Sequence, residues 1–506
     1  MIIGKATPVP SVIDVHGLRC FFTSYQPSLS LIFFVYTTTL VLILLRLKHE
    51  MSATVHYPTR FSDALVDHCK SGHVPPEVFC DVAKQVPTLP RYVRMHPSVV
   101  SSFQAAKSDV SHLVAEMIEW LSRELDVPST AIHYVEWSLS YWCFAVPRST
   151  SLSDKAAYKR GDIVPMDVAS VAAVMALSPC EGDVVLDVCC APAMKLCTIA
   201  DRVGQSGLVV GVDLSTDRLF TARSLVARHG ASSTTGSSSV LFSGDGCTFD
   251  MKKGLETFDP LSERVKVKSN GLTANEERRL GKKRSRKGSS VGTPGTETCS
   301  PVYAPLTARE TLKQRCASLP LFDRVLVDAE CTHDGSIAHL DLGEAGTAGH
   351  AGISNTHRTL HINVSNDNTD NPVKSVPDLQ LQLLLNGYAQ LKNGGTLVYA
   401  TCSFSFLQNE KVLVRFLQTE HGTSHPEVIP AFASCSGEGQ HHLVSLQSRL
   451  NACHDHYSIV SNGLREMGRT DLLEDMKKGL LGSRFYPCVF QTSFQYIVKI
   501  RKVPVE

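Results

Sequence analysis

After Gly161 the chain settles into a rhythm that few folds accept: a short apolar run, a turn of small or acidic residues, then a helix. The apolar runs cover residues 183–188, 208–212, 240–242, 324–328 and 395–399, and helical periodicity follows at 194–202, 216–229, 378–391 and 407–418. Strands that are apolar throughout must be buried on both faces. The pattern therefore predicts an α/β fold, a parallel sheet covered by helices on each side. Ligands of such sheets collect beyond the carboxyl ends of the strands.

The residues at those ends carry the chemistry. The first strand closes on Asp187 and runs into Val188-Cys189-Cys190-Ala191-Pro192-Ala193-Met194-Lys195, a tight turn that opens a helix. That turn offers backbone N–H groups and a positive helix terminus to a ligand. Asp213 ends the second strand, 26 residues beyond Asp187, about where a carboxylate grips ribose hydroxyls in nucleotide-binding sheets. Asp245 follows the third and can reach an adenine amino group. Three acids after three successive strands describe an adenosine-containing ligand; aspartates that merely cap helices are the plainer alternative. Gly-x-Gly-x-x-Gly is absent, which disfavours NAD and FAD and leaves S-adenosylmethionine as the cofactor. Cys331 follows the fourth strand, in Asp328-Ala329-Glu330-Cys331-Thr332-His333, and Cys402 follows the fifth. A single cysteine is usually a small buried hydrophobe. Two at neighbouring strand ends beside Asp328 point to nucleophilic chemistry.

Composition limits what surrounds this core. At about 150 residues per domain, 506 residues suggest two to four domains. Fifty Lys and Arg against 49 Asp and Glu exclude an overall basic coat, so an anionic partner needs a local patch. Hydrophobic residues at 43% suffice for a sizeable core. None of the 16 cysteines forms a C-x-x-C pair, so reduced intracellular thiols and no metal site are expected. Residues 1–50 form an extension of uncertain kind. Its uncharged 17-residue stretch, 29–45, is at the lower limit for spanning a bilayer, and Thr37, Thr38 and Thr39 weaken that reading. Met51 is an alternative start.

Residues 51–160 are expected to form a smaller N-terminal α+β domain. It contains one amphipathic helix through Val110, Leu113, Val114, Met117, Ile118, Leu121 and Leu125. Arg91-Tyr92-Val93-Arg94 reads as a surface strand. Two loop insertions, near 249–320 and 336–377, show no periodicity. The first holds seven basic residues in ten at 278–287, a nuclear-import signal, an RNA contact or a plain solvated run.

From Gly161 to Lys502 the chain resembles the Nol/Nop/Sun (RsmB-like) family of RNA cytosine-5 methyltransferases. The likeness rests on the loop from Asp187 to Lys195, on Asp213 with Arg218, on Asp245, and on Asp328-Ala329-Glu330-Cys331. It continues through Gln380, Tyr399-Ala400-Thr401-Cys402-Ser403, Gln408-Asn409-Glu410 and Arg484-Phe485-Tyr486-Pro487. The resemblance implies a Rossmann-like methyltransferase domain at 161–506, preceded by an RNA-recognition domain, in a monomer acting on tRNA or rRNA. It implies Cys402 as the thiolate that attacks cytosine C6, Cys331 as the residue assisting release, and Asp328 as the base-holding acid. It assigns Cys189, Cys190, Ala191, Pro192, Ala193, Met194, Lys195, Asp213, Arg218, Asp245 and Asp328 to the cofactor. Arg91 and Arg94 are candidate phosphate contacts, and Trp137, Tyr141 and Trp142 stack on bases or belong to the core. The nucleus or nucleolus is the expected compartment, with cytoplasm or mitochondrion as alternatives. Departures are Ala193 and Met194 where the family has two glycines, Glu330 where it has proline, and Gln408 where it has glutamate. The altered loop motivates a second reading, an RNA-binding or ribosome-assembly factor with weak catalysis. Because nothing apolar ties the basic run to a core, deleting residues 282–287 should leave the melting temperature unchanged; a large fall would place the run inside the domain.

Overall fold

The computed structural model describes residues 11–15, 18–22, 55–58, 61, 63–104, 110–232, 239–256, 300–315, 322–336, 375–432 and 440–505. The apolar stretch 29–45 and the basic run 278–287 lie outside them. Among the described residues no helix is long and apolar enough to cross a membrane. The chain divides into Met1–Thr59 and Arg60–Glu506. The first unit contains an antiparallel hairpin of β1 (Ser11–Val15) and β2 (Leu18–Phe22).

The second unit begins with helices and an antiparallel four-stranded sheet in the order β4-β5-β3-β6. Its strands are β3 (Arg91–Met95), β4 (His133–Tyr134), β5 (Cys143–Val146) and β6 (Ile163–Pro165). Helix α1 (Val110–Leu125) repeats apolar residues every three or four positions. It buries Leu113, Met117, Leu121 and Leu125 with Val93 and Phe144 of the sheet. Two expectations change here. β3 is an inner strand between β5 and β6, with Tyr92 to Met95 all buried, rather than a surface strand. Arg94 is 2% exposed and pairs with Asp201 at 2.6 Å, so it is structural and not a phosphate contact. Its place in an Arg-Tyr-Val-Arg run gives no hint of this, because the partner lies 107 residues away. The aromatic cluster likewise packs inward: Trp137 lies against Phe485, Trp142 against Tyr134, and Tyr141 is buried.

The large sheet runs β10-β9-β8-β7-β11-β12-β15-β13, with β14 beside β15. Its parallel centre is β9 (Ser239–Ser243), β8 (Leu208–Asp213), β7 (Val184–Val188), β11 (Phe322–Asp328) and β12 (Leu391–Thr401). These match the five apolar runs of the sequence. The sheet is mixed rather than purely parallel. β15 (Gln495–Pro504) lies antiparallel against β12, β13 (Ser424–Ile429) and β14 (Ser483–Phe485). β10 (Ser300–Tyr303) runs antiparallel to β9. The first insertion is therefore shorter than expected. Phe249, Met251, Ala308 and Leu312 at its two ends are buried. A four-residue strand containing Pro301 is too short to show an alternating pattern.

Helices α2 (Val168–Leu177), α3 (Met194–Val203), α4 (Thr216–Ser232), α5 (Val376–Gln390) and α6 (Glu410–Leu417) cover the sheet. Strand order reverses between β7 and β11, since β8 and β9 lie on one side and β12 on the other. That crevice is where a ligand is expected in an open α/β sheet. It is also where Asp187 and Asp328 come together on adjacent strands.

The small sheet is fastened to α3 by the Arg94–Asp201 pair, and His229 also bonds Asp201 at 2.7 Å. Burial alone would raise the Asp201 carboxyl, but Arg94 and His229 overcome it and hold it at about 2. Arg94→Ala leaves a buried carboxylate without its main partner and should cost about 3–5 kcal/mol in urea unfolding. The carboxyl is held below its unfolded value. Its stabilising contribution is therefore present above about pH 4 and lost as pH falls toward 2. The variant should lack that acid-sensitive component.

Candidate active site

The loops after β11 and β12 are laced together. Ala329 N–H donates to Ala400 O, Gly335 N–H donates to Cys402 O at 2.9 Å, and Phe404 N–H donates to the Asp334 carboxylate at 2.9 Å. A Cβ on Gly335 would stand 2.5 Å from Cys402 O, so only glycine allows this approach. Asn409 stitches the other side, accepting from Thr401 Oγ1 and donating to Ser403 O at 2.7 Å. The result brings Cys331 Sγ within 3.2 Å of Cys402 Sγ. His333 Nδ1 lies 3.1 Å from Cys402 Sγ and 3.8 Å from Cys331 Sγ.

Two thiols at this distance titrate as a unit. The hydrogen bond from Cys402 draws Cys331 well below the ordinary thiol range, and His333 adds to the effect against the cost of burial. The same contact, with burial, pushes Cys402 up. Charge at Cys331 in turn raises His333 to about 9, more than burial lowers it. The trio therefore holds an imidazolium beside one shared negative charge.

Next to it opens a cavity of about 780 Å³ between the small sheet and the carboxyl edge of the large one. Asp187, Cys190, Ala191, Pro192, Met194, Lys195 and Asp328 line its floor, and Arg91, Tyr92 and Arg148 are part of the opposite wall. Lys195 Nζ donates to Asp328 Oδ2 at 2.7 Å. Burial opposes the lysine's charge, but Asp328 and Asp187 more than offset this and its pKa ends up raised. Asp187 is 1% exposed, and among the described residues neither of its carboxylate oxygens has a hydrogen-bond partner. Burial first, then the charge of Asp328, push it well above the carboxylate range.

Asp213 and Asp245 are not among the cavity's lining residues. Asp213 is 4% exposed and joins two loops: it accepts from Ala191 N–H at 3.1 Å and Ser215 N–H at 2.9 Å. Arg218 stands 3.8 Å from Asp213, 3.6 Å from Glu330, and donates to Ala191 O. Asp245 accepts from Cys247 N–H at 2.8 Å. Several N–H groups expected to face a ligand are committed internally: those of Cys190, Ala191 and Ala193 bond Val212, Asp213 and Cys190. Ala193 adopts φ +77, a left-handed conformation that favours the glycine of the family pattern.

Among the described residues, the trios Cys331–His333–Cys402 and His96–Asp201–His229 each bring three polar side-chain atoms within 4.8 Å of one another. In the second, Arg94 already occupies Asp201 and its charge opposes a cation. Sequence reasoning gave no role to His333 or to the isolation of Asp187. The Cys-x-His spacing signalled the first, but nothing in sequence marks a carboxyl as unpartnered.

The large sheet is Rossmann-like, with acids and paired cysteines at its carboxyl edge. A family model described as 16S rRNA methyltransferase RsmB/F matches residues 349–444. The 5-cytosine rRNA methyltransferase NSUN4 of Xenopus laevis is 36% identical over 120 residues, covering 23% of this chain and 24% of that protein. The probable ribosomal RNA small subunit methyltransferase B of Bacillus subtilis is 22% identical over 54% of this chain and 40% of its own length. A methyltransferase homolog protein from Pyrococcus horikoshii, solved by crystallography, aligns over 88% of this chain and 100% of that one, at 18% identity and a TM-score of 0.45. The chain is similar to members of the Nol/Nop/Sun (RsmB-like) family, and its matches span well under two thirds of those curated relatives.

The family's cofactor, S-adenosylmethionine, carries an ammonium and a sulfonium, and an orphaned buried carboxylate fits a cation. Asp187→Asn tests this. A carboxyl raised above its unfolded value costs stability once pH passes about 4, so the neutral amide should stabilise the protein above that pH and not below it. Thermal unfolding at pH 7 should show a gain of about 1–3 kcal/mol. Calorimetry with S-adenosylhomocysteine should show affinity falling at least tenfold.

Proposed function

We propose that this protein methylates C5 of cytosine in ribosomal or transfer RNA through a transient bond between Cys402 and C6 of the base. The observation that carries the reading is the pair of sulfurs, 3.2 Å apart, at the ends of two adjacent parallel strands. The similarity to that family supports the reaction class.

C5 of cytosine is a weak nucleophile until a thiolate adds at C6. In this reading Cys402 Sγ forms the bond to C6, and the displaced electron pair passes to C5. Asp328, held in place by Lys195, accepts a hydrogen bond from the base edge and offsets charge as the adduct forms. S-adenosylmethionine, when bound, would supply the electrophilic methyl group; Asp187 would hold its cationic part and the turn from Cys189 to Lys195 its methionine part. Asp213, steadied by Arg218, serves the ribose and Asp245 the adenine. C5 then gives up its proton to solvent, the 5,6 double bond returns, and the Cys402–C6 bond breaks. Cys331, beside the departing sulfur, assists that step. Cytosine must leave its stack to enter the cavity. The four-stranded sheet serves RNA recognition, with Arg91 and Arg148 at the cavity wall as phosphate contacts. Such an enzyme works inside the cell.

The left-handed Ala193 favours the second reading, a fold retained by an RNA-binding factor with weak catalysis. Absence of S-adenosylhomocysteine binding in calorimetry would select it.

The cysteines divide the outcomes further. Cys402→Ala should abolish methylation and any covalent RNA adduct. Cys331→Ala should methylate but stay attached, giving an RNA-linked band on a denaturing gel. If both serve only packing, each change costs about 1–3 kcal/mol of stability and no adduct appears. Trapping by Cys402→Ala instead would exchange the two roles.

A further inference from the structure

We propose that His333 is a third catalytic residue, the group that takes the second proton of the cysteine pair so that Cys402 can attack as a thiolate. This rests on the reading of Cys402 as the nucleophile and adds a base that the chain's other motifs do not supply.

Three observations meet at this side chain. Nδ1 is 3.1 Å from Cys402 Sγ and 3.8 Å from Cys331 Sγ, so it faces both sulfurs and lies nearer the nucleophile. His333 also holds φ +57, a left-handed conformation rare for a residue with a Cβ. Strained residues of this kind persist where surrounding structure fixes them, and they cluster at functional sites. That surrounding structure is visible on both sides of the residue. Thr332 bonds Asp334 and accepts from Gln408 Nε2 at 2.9 Å, while the Asp334 carboxylate is held by Phe404 N–H. The imidazole is thereby clamped at one place in the loop.

The proton count balances. With imidazole neutral and its own proton on Nε2, each sulfur carries one proton and Nδ1 is free to accept. Transfer of one to Nδ1 leaves an imidazolium, one thiol and one thiolate, with no change in total charge. The remaining proton can sit on either sulfur across 3.2 Å. When it sits on Cys331, Cys402 is the thiolate and its lone pair forms the bond to C6. When the C6–S bond breaks, that pair returns to Cys402, again facing the imidazolium. The charged groups around His333 favour the ion pair: Cys331, Glu330 and Asp328 all raise its proton affinity, against burial. His68, on the neighbouring helix Asp63–Ser71, reaches Thr332 and Gln408, and burial lowers its own proton affinity, so it adds little opposing charge.

Alkylation of the full-length protein by iodoacetamide reads the thiolate without any RNA. Rates at Cys402 and Cys331 are followed by peptide mapping from pH 5 to 10, after dialysis against EDTA. An unperturbed cysteine reacts with a midpoint near pH 8.5. Cys331 holds the larger share of the shared charge, but proton exchange across the 3.2 Å contact should expose Cys402 as thiolate with a midpoint below that value. In His333→Asn, chosen because asparagine tolerates positive φ, the rate at pH 7 should fall at least tenfold and converge with wild type near pH 10. The methylation rate should show the same shift in its alkaline-rising limb, with S-adenosylhomocysteine affinity unchanged. An identical alkylation midpoint in the two proteins would overturn the assignment, as would reaction confined to Cys331. If the variant unfolds, wild type alone decides, since a Cys402 midpoint above pH 8 leaves no base to assign. Persistent methylation by Cys402→Ala would remove the parent reading and the catalytic role with it, whatever the alkylation profile.

Discussion

A fully buried ion pair holds the reactive loop in place. Arg484 Nε and a terminal nitrogen donate to both oxygens of Glu410, at 2.7 and 2.6 Å, with both side chains at 0% exposure. The third guanidinium arm donates to Phe404 O at 2.8 Å, two residues past Cys402. Taking two charges out of water is expensive, and a buried pair of this kind adds little net stability. Its geometry is what matters. A planar, bidentate fork fixes β14 against the first turn of α6, and the remaining arm fixes the backbone that follows Cys402. The negative end of the pair, Glu410, also stands at a helix N-terminus, where its charge is favoured.

From this anchor the loop is built outward by polar contacts in a closed interior. Asn409 bonds on both sides of Cys402, Tyr399 donates to Gln408 O, and Gln408 reaches Thr332, Gln380 and His68. Two thiols and an imidazole can meet at hydrogen-bond distance only because these partners leave their loops no freedom. The cavity next to them is the opposite case. Its Asp187 is buried without a hydrogen-bond partner among the described residues, so the free protein carries a cost there.

The parallel strands, their helices and the two cysteines were legible because each is written locally: apolar runs of five or so residues, a 3.6-residue period, and a reactive residue directly after a strand. The edges of the sheet were not. β15 enters antiparallel beside β12, and β10 attaches to β9 from inside an apparent insertion. Pairing direction depends on partners far away in sequence. Arg94 shows the same limit. In sequence it is one basic residue beside an aromatic, and only the meeting of β3 with α3 makes it the buried partner of Asp201.

What the sequence determined by itself is the order of strand and helix and the residues placed at each strand's end, because periodicity and strand polarity follow from covalent geometry alone. Tertiary structure decided which of those residues share an environment. It placed Asp187 beside Asp328, committed Asp213 to backbone N–H groups, and turned His333 toward Cys331 on its own loop and Cys402 on the neighbouring one. Distance, burial and charge arise only when strands distant in the chain pack together, and proton affinity follows from those three.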